Sequence, residues 1–299
     1  MAQNTVTAGQ AGSGAEIVPR RFNGGFPDDI PRYWFRKNPI LTNMLNTYTI
    51  LVPDNEHYYM RNIRRTFENL KDPGLKTRVR NFIQQEGLHG VAHQRYWQNL
   101  TAQGLKFRGF LKLTGLLSYR FLEASFPLSM QLSVIAAVEH INAYMGHIFL
   151  ENDLLNEAEP RKRLLFAWHF AEEIEHKEVS YDVFQEISGN YLLRIVGMLL
   201  TAPLFYLFSL IGTVYFSWQC GKLLDARSWY DWFRFLFVRE KVGFKSLYYL
   251  SRYFKPGFHP SQIADHHLAE SFLQSAAFRE VSDANPRAEF GIEVPLPTT

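Results

Sequence analysis

Two short spacings, Glu86-x-x-His89 and Glu173-x-x-His176, each preceded at hairpin distance by a lone glutamate, constrain this chain more than any other feature. Glu56 stands 30 residues before Glu86, and Glu139 stands 34 residues before Glu173. At about 1.5 Å per residue, each interval suits a helix leading away from a point, a turn, and a second helix returning to it. In the densest stretch, Trp168 to Ser180, a step of about 100° per residue puts His169, Glu173 and His176 within roughly 60° of one another. Glu175 and Glu178 point away and, with Lys177, are expected to form a solvated face. Glu172 falls on the flank, where it can orient a ligand or face a neighbouring Arg or Lys.

Local signals predict the helices that carry these residues. Ile40 to Leu51 predicts a short helix stopped by Pro53, and Asp54 then stands as the cap of a helix from Asn55 to about Leu70. Glu56 would lie in that helix's first turn, a position the helix dipole also favours for a carboxylate. Asp72-Pro73-Gly74 signals a turn, and a helix from Leu75 to Leu100 returns as the second leg of an antiparallel hairpin. On it Phe82, Glu86, His89 and His93 make one inward stripe. Glu86 and His89 leave adjacent turns in the same direction and can clasp one ion.

One such pair carries little weight, because solvated Glu and His at helical spacing are common. The second copy supplies the weight. After a mixed crossover with a helix around Leu111 to Ala124, a helix from Pro127 to Leu150 carries Glu139 among Ile135, Ala136, Ala137, Val138 and Ile141. An acid in so apolar a run is hard to bury unless it is paired or ligated; His140 turns away from it. Pro160 fits the first turn of the next helix, which brings Glu173 and His176. His93 lies about 20° from the direction of Glu86 and His169 about 40° from that of Glu173, so both face the same centre. Each is a further ligand or a donor behind one.

Two carboxylates from two helices and two Glu-x-x-His pairs from two others form the ligand arrangement of dimetal four-helix bundles. The chain resembles the ferritin-like dimetal carboxylate proteins and, more narrowly, the bacterial family of predicted metal-dependent hydrolases. The narrower resemblance rests on Pro53-Asp54-Asn55-Glu56, the run from Phe82 to His93, Glu139-His140 and the run from Trp168 to Lys177, within about residues 35 to 270. It implies an all-α fold, a ferritin-like four-helix bundle with a dimetal core plus additional C-terminal helices. The expected metal ligands are Glu56, Glu86, His89, Glu139, Glu173 and His176, with His93 and His169 as further candidates. Glu86 and Glu173 would bridge the ions, and Glu86, Glu173, His93 and His169 are the catalytic candidates.

Oxygen and nitrogen donors without thiolate suit two iron ions, with manganese as the alternative. Bundle sites of this pattern usually handle oxygen, as the broad resemblance implies. The expected function is therefore an oxygenase or oxidase that takes dioxygen and a hydrophobic, lipid-like substrate. The alternative is a hydrolase using a metal-held hydroxide; a third reading is a non-enzymatic metal-storage or membrane-anchored protein. Neither a nucleophile elbow nor a phosphate loop stands in the sequence.

Composition narrows the remainder. A chain of 299 residues suits one large domain or two smaller ones. The expected division is a tail over residues 1–25, a helical metal-binding domain over 26–283 and a loose tail over 284–299. Residues 1–25 lack the pattern of a secretory signal, although Arg20, Arg21 and Phe22 can begin to dock. A net charge of +3 gives no case for nucleic acid. The single Cys220 forbids an internal disulfide and fits a reducing compartment. Ile195 to Trp218 is a run of 24 residues with no charge, long enough to cross a membrane. Pro203, Tyr206 and Tyr215 interrupt it, so a buried helix or one lying on a membrane surface fits as well. Trp229 to Lys241 mixes aromatic and basic residues as interfacial helices do. The expected location is cytoplasmic, membrane-associated through residues 195–241, and a homo-oligomer is compatible with this reading.

Overall fold

Asn38 starts the first long helix. Its Oδ1 accepts from the amides of Ile40 and Leu41 at 2.9 and 3.0 Å, and Pro39 sits where no amide hydrogen is needed. Helix α1, Pro39–Arg64, then runs unbroken through Pro53, which corrects the expectation of a stop there and a cap at Asp54. Pro53 withdraws the amide that would have met the Thr49 carbonyl, and that carbonyl instead accepts the Trp97 indole N–H at 3.1 Å. Glu56 consequently lies inside a helix and not in a first turn.

The computed structural model describes residues 17–283. The expected tail over residues 284–299 and residues 1–16 of the expected tail over 1–25 lie outside these. The described chain is all-α apart from a two-residue ribbon. Asp72 caps α2, Pro73–Ala102, by accepting from the Gly74 amide at 2.8 Å. Helix α3, Arg108–Gly115, a π turn Leu116–Arg120 and α4, Phe121–Ser125, make the crossover. Helices α5, Leu128–Glu151, and α6, Pro160–His176, form the second hairpin. Glu159 caps α6 by accepting from the amides of Arg161 and Lys162, both at 3.1 Å. Then follow α7, Val179–Ile187, and α8, Tyr191–Gln219. Shorter helices complete the chain: α9, Ala226–Phe237; α10, Val242–Tyr253; α11, His266–Leu273; and α12, Ala276–Arg279. Strand β1, Arg21–Phe22, pairs antiparallel with β2, Ser282–Asp283.

The hairpins α1/α2 and α5/α6 face one another, and α8 lies along α1 and α5. Close approach is specified by glycine. A Cβ on Gly146 of α5 would stand 2.4 Å from the Phe170 carbonyl oxygen of α6, next to His169 and one turn before Glu173. Gly197 and Gly212 similarly let α8 press on Ser133 and Thr47. Helix α8 is, among the described residues, the one helix long and apolar enough to cross a membrane, yet only 22 % of its most apolar window is buried. Leu199, Leu207, Ile211 and Trp218 on it are exposed.

Part of the expected tail over residues 1–25 docks on the helices: Ile17 and Phe22 are buried, and Phe22 stacks on Trp168 with ring centroids 5.4 Å apart. Three residues expected on a solvated face are buried instead. Helix α6 ends at His176, so the helical projection fails beyond it. Lys177 turns into contact with Asp265 and donates to the Ile263 carbonyl at 2.6 Å. Glu178 meets His266 Nε2 at 3.0 Å. Glu175 is covered from the other side by Arg20, at 3.0 Å. Chain segments distant in sequence have closed over the face that a lone helix would have left wet.

Candidate metal centre

Glu56 from α1, Glu86, His89 and His93 from α2, Glu139 from α5, and His169, Glu173 and His176 from α6 are all buried. Seven of the eight converge. His89 Nδ1 lies 3.4 Å from Glu56 Oε1. His176 Nδ1 lies 2.7 Å from Glu86 Oε1 and 3.7 Å from both Glu139 Oε2 and Glu173 Oε2. His169 Nε2 lies 3.1 Å from Glu173 Oε1. Two overlapping sets each keep their donor atoms within 4.8 Å of one another: Glu56, His89, His169 and Glu173, and Glu86, His89, Glu173 and His176. Glu173 and His89 belong to both. Glu139 borders the second set, and His93 lies one layer out, its Nε2 3.3 Å from His169 Nδ1 and its Nδ1 bonded to the Thr49 hydroxyl.

The donors fit a cation. Both oxygens of Glu56, Glu86 and Glu139, Oε2 of Glu173, and Nδ1 of His89 and of His176 are buried without a hydrogen-bond partner. Buried carboxylates that are not neutralised cost several kcal/mol each. A group of them around imidazole lone pairs can be balanced only by protons or by metal ions.

The ring nitrogens are set from behind. Gln85 Nε2 donates to the Val18 carbonyl and to Glu175 Oε2, both at 2.9 Å. Both are acceptors only, so Gln85 Oε1 is turned to His176 Nε2, at 2.7 Å, which has to donate. His89 Nε2 donates in the same way to Glu172 Oε2 at 2.9 Å. Arg20 closes the chain, reaching Glu172 at 3.1 Å and Glu175 at 3.0 and 3.1 Å. His89 is thereby held as the Nε2–H tautomer with a bare Nδ1 facing the centre, the arrangement a metal-binding histidine requires; Nε2 of His176 is committed to Gln85 in the same way, and the proton on its Nδ1 beside Glu86 is the one a metal ion would displace. Glu172 plays the flanking role the sequence predicts.

Arg20, Gln85 and Tyr48, whose hydroxyl lies 2.8 Å from His169 Nε2, are functional neighbours that sequence reasoning missed. Arg20 sits 152 residues from Glu172, and no periodicity reports such a contact.

Protonation follows from the same crowding. Burial raises Glu86 to about 7, against the pull of His176. Burial and the neighbouring carboxylates push Glu56 and Glu139 well above the usual carboxylate range. Burial also pushes Glu173 up, but hydrogen bonds from His169 and His176 outweigh it and hold this carboxyl below its ordinary value. Burial drives His89 down to about 3 and His169 to about 4, so both are neutral donors at neutral pH. Burial lowers His176 as well, but Glu86 and Glu173 more than reverse that and raise it well above its ordinary value.

Four helices that direct buried carboxylates and imidazoles at one centre define an all-α metal-binding protein. The chain belongs to the family of predicted metal-dependent hydrolases, whose profile matches residues 18–264 and so includes every site residue and Arg20. No curated protein and no solved structure matches the chain. The family's description favours the hydrolytic alternative over the expected oxygenase or oxidase.

Proposed function

We propose that the chain is a dimetal hydrolase that holds two divalent cations, iron or manganese, in its two overlapping donor sets. The observation that carries this reading is the closed group of partnerless buried donors, taken with the family to which the chain belongs. Ions bound there would polarise the electrophilic centre of an ester, amide or phosphoester and acidify a water.

The chain's own residues supply the rest. Glu173, whose carboxylate is common to both sets, would fix the separation of the two positions, while His89, with Nε2 committed to Glu172, has only Nδ1 to give to one of them. Glu172, Gln85 and Arg20 hold the histidine rings in their donating tautomer. A void of about 10 Å³, lined by Tyr48, Asn55, Glu56 and Tyr59 among others, reaches Glu56 and has room for about one water. Glu56 accepts a proton from that water as the water oxygen bonds to the carbonyl carbon or phosphorus. The bond to the leaving oxygen, or to the leaving nitrogen of an amide, then breaks, and that atom takes the proton back from Glu56. The buried aromatic surround, with Tyr48 and Phe170 packed 5.6 Å apart, keeps bulk water out. The same proposal sets the exposed face of α8 and the aromatic, basic α9 against a membrane surface.

The test is to load metal-stripped protein with Fe(II) or Mn(II), count metal by mass spectrometry, and assay p-nitrophenyl esters and phosphates under argon. About two ions per chain and anaerobic turnover that a chelator abolishes are expected. Oxygen consumption by the iron-loaded protein with no turnover under argon would overturn the hydrolytic reading in favour of the oxidase.

A further inference from the structure

Beside the small void at Glu56 lies a larger chamber of about 80 Å³ between α1, α5, α8 and the π turn. Its walls are mainly apolar, with Leu51, Leu122, Val134, Val138, Leu204 and Phe208 among them. The two spaces share Leu51, Asn55, Tyr59 and Phe205, so only these side chains separate the chamber from the carboxylate of Glu56. Two hydroxyls in the chamber wall, those of Tyr58 and Thr201, are buried without any partner; the residues are 1 % and 7 % exposed.

The outer wall is built for access. The five residues of the π turn, Leu116–Arg120, include none that is buried, and such π segments recur at functional sites. Ser118, Tyr119 and Leu204 are half-buried members of the lining. Around them Leu113, Leu117, Phe121 and Leu207 are exposed. An apolar surface thus leads to an apolar chamber that adjoins the void at Glu56.

We infer that this chamber receives the first carbons of the substrate's acyl or alkyl chain, the remainder of which lies over the exposed Leu113, Leu117, Phe121 and Leu207; the substrate is an ester of a long-chain acid or alcohol admitted between the π turn and α8. This assignment of substrate class rests on the hydrolase reading above. The chain lies along the walls contributed by Leu122, Val138 and Phe208, and the ester group passes the constriction at Asn55 and Tyr59 to reach Glu56.

The test uses full-length, metal-loaded protein and cis-parinaric acid, a fluorescent long-chain fatty acid, as the probe. Saturable binding of one probe per chain is expected. Thr201→Trp, which fills the chamber, and Ser118→Trp, which blocks its rim, should each weaken binding at least 10-fold while metal content and helical circular dichroism stay unchanged. Ser118 is half-buried at the surface, so it tolerates the added bulk even if Thr201→Trp disturbs packing. Absence of saturable binding to the wild type, or equal affinity in the folded Ser118→Trp variant, overturns the inference. Binding that obeys these expectations in a protein hydrolysing no ester upholds the chamber and sinks the hydrolase reading. Hydrolysis of p-nitrophenyl acetate without parinarate binding does the reverse.

Discussion

The stability that bound metal adds should grow as the pH rises from 6.5 to 8.5, and the size of that growth follows from which groups still hold protons in the stripped protein. Below about 6.5 the signs conflict. His89 and His169, depressed by burial to about 3 and about 4, favour the fold as pH rises, whereas Glu86, raised by burial to about 7, opposes it. Above 6.5 the histidines are neutral in both folded and unfolded chains. What remains in the centre are Glu56, Glu139 and His176, all held well above their ordinary values. A group whose folded pKa is raised stabilises fully below its unfolded pKa, and that contribution is lost as pH rises through the folded value. Here the folded state binds more protons than the unfolded one, so stability falls by about 1.4 kcal/mol per pH unit for each proton retained.

One retained proton gives a loss of about 3 kcal/mol from pH 6.5 to 8.5, or a fall in Tm of about 6–12 °C. Lys162, pushed by burial down to about 6, works in the opposite direction. It does so equally in stripped and metal-loaded protein and cancels in their difference. Thermal unfolding of both forms, followed by circular dichroism at several pH values, should therefore show the Tm gap widening with pH. A gap that is constant or narrows between pH 6.5 and 8.5 would refute the assignment of protons, and hence of metal, to these carboxylates.

Four further outcomes are expected. Glu173→Ala, which removes a donor common to both sets, should lower metal content by about half or more, counted by mass spectrometry; unchanged content would displace the site. Arg20→Met should leave the fold intact but weaken metal binding about 10- to 100-fold in competition with a chelator, because it frees the groups that orient His89 and His176. Gly146→Ala, which forces a Cβ into the Phe170 carbonyl, should cost about 1–3 kcal/mol in urea denaturation; an unaffected midpoint would mean that α5 and α6 are not so close. The wild type should float with anionic vesicles, and Leu207→Glu with Trp218→Glu, both at exposed positions, should reduce that flotation; equal flotation would refute membrane contact through α8.

The sequence by itself determined the helical class, the two hairpins and the four arms of the centre. These features are local: a period near 3.6 residues puts Glu86 with His89 and Glu173 with His176, while Asp72-Pro73-Gly74, expected as the turn itself, caps and opens the returning helix. Only the tertiary structure decided what crosses between distant segments. Pro53 looked like a stop because its missing amide is visible in sequence, while Trp97, which satisfies the freed carbonyl, is not. Glu175, Lys177 and Glu178 looked solvated because a helical projection knows nothing of Arg20 or Asp265 closing over them. Which ring nitrogen of His89 and of His176 faces the metal was equally hidden. It depends on Glu172, Gln85, Glu175 and Arg20 arriving from three segments, and a hydrogen-bond direction is fixed only when both of its ends are in place.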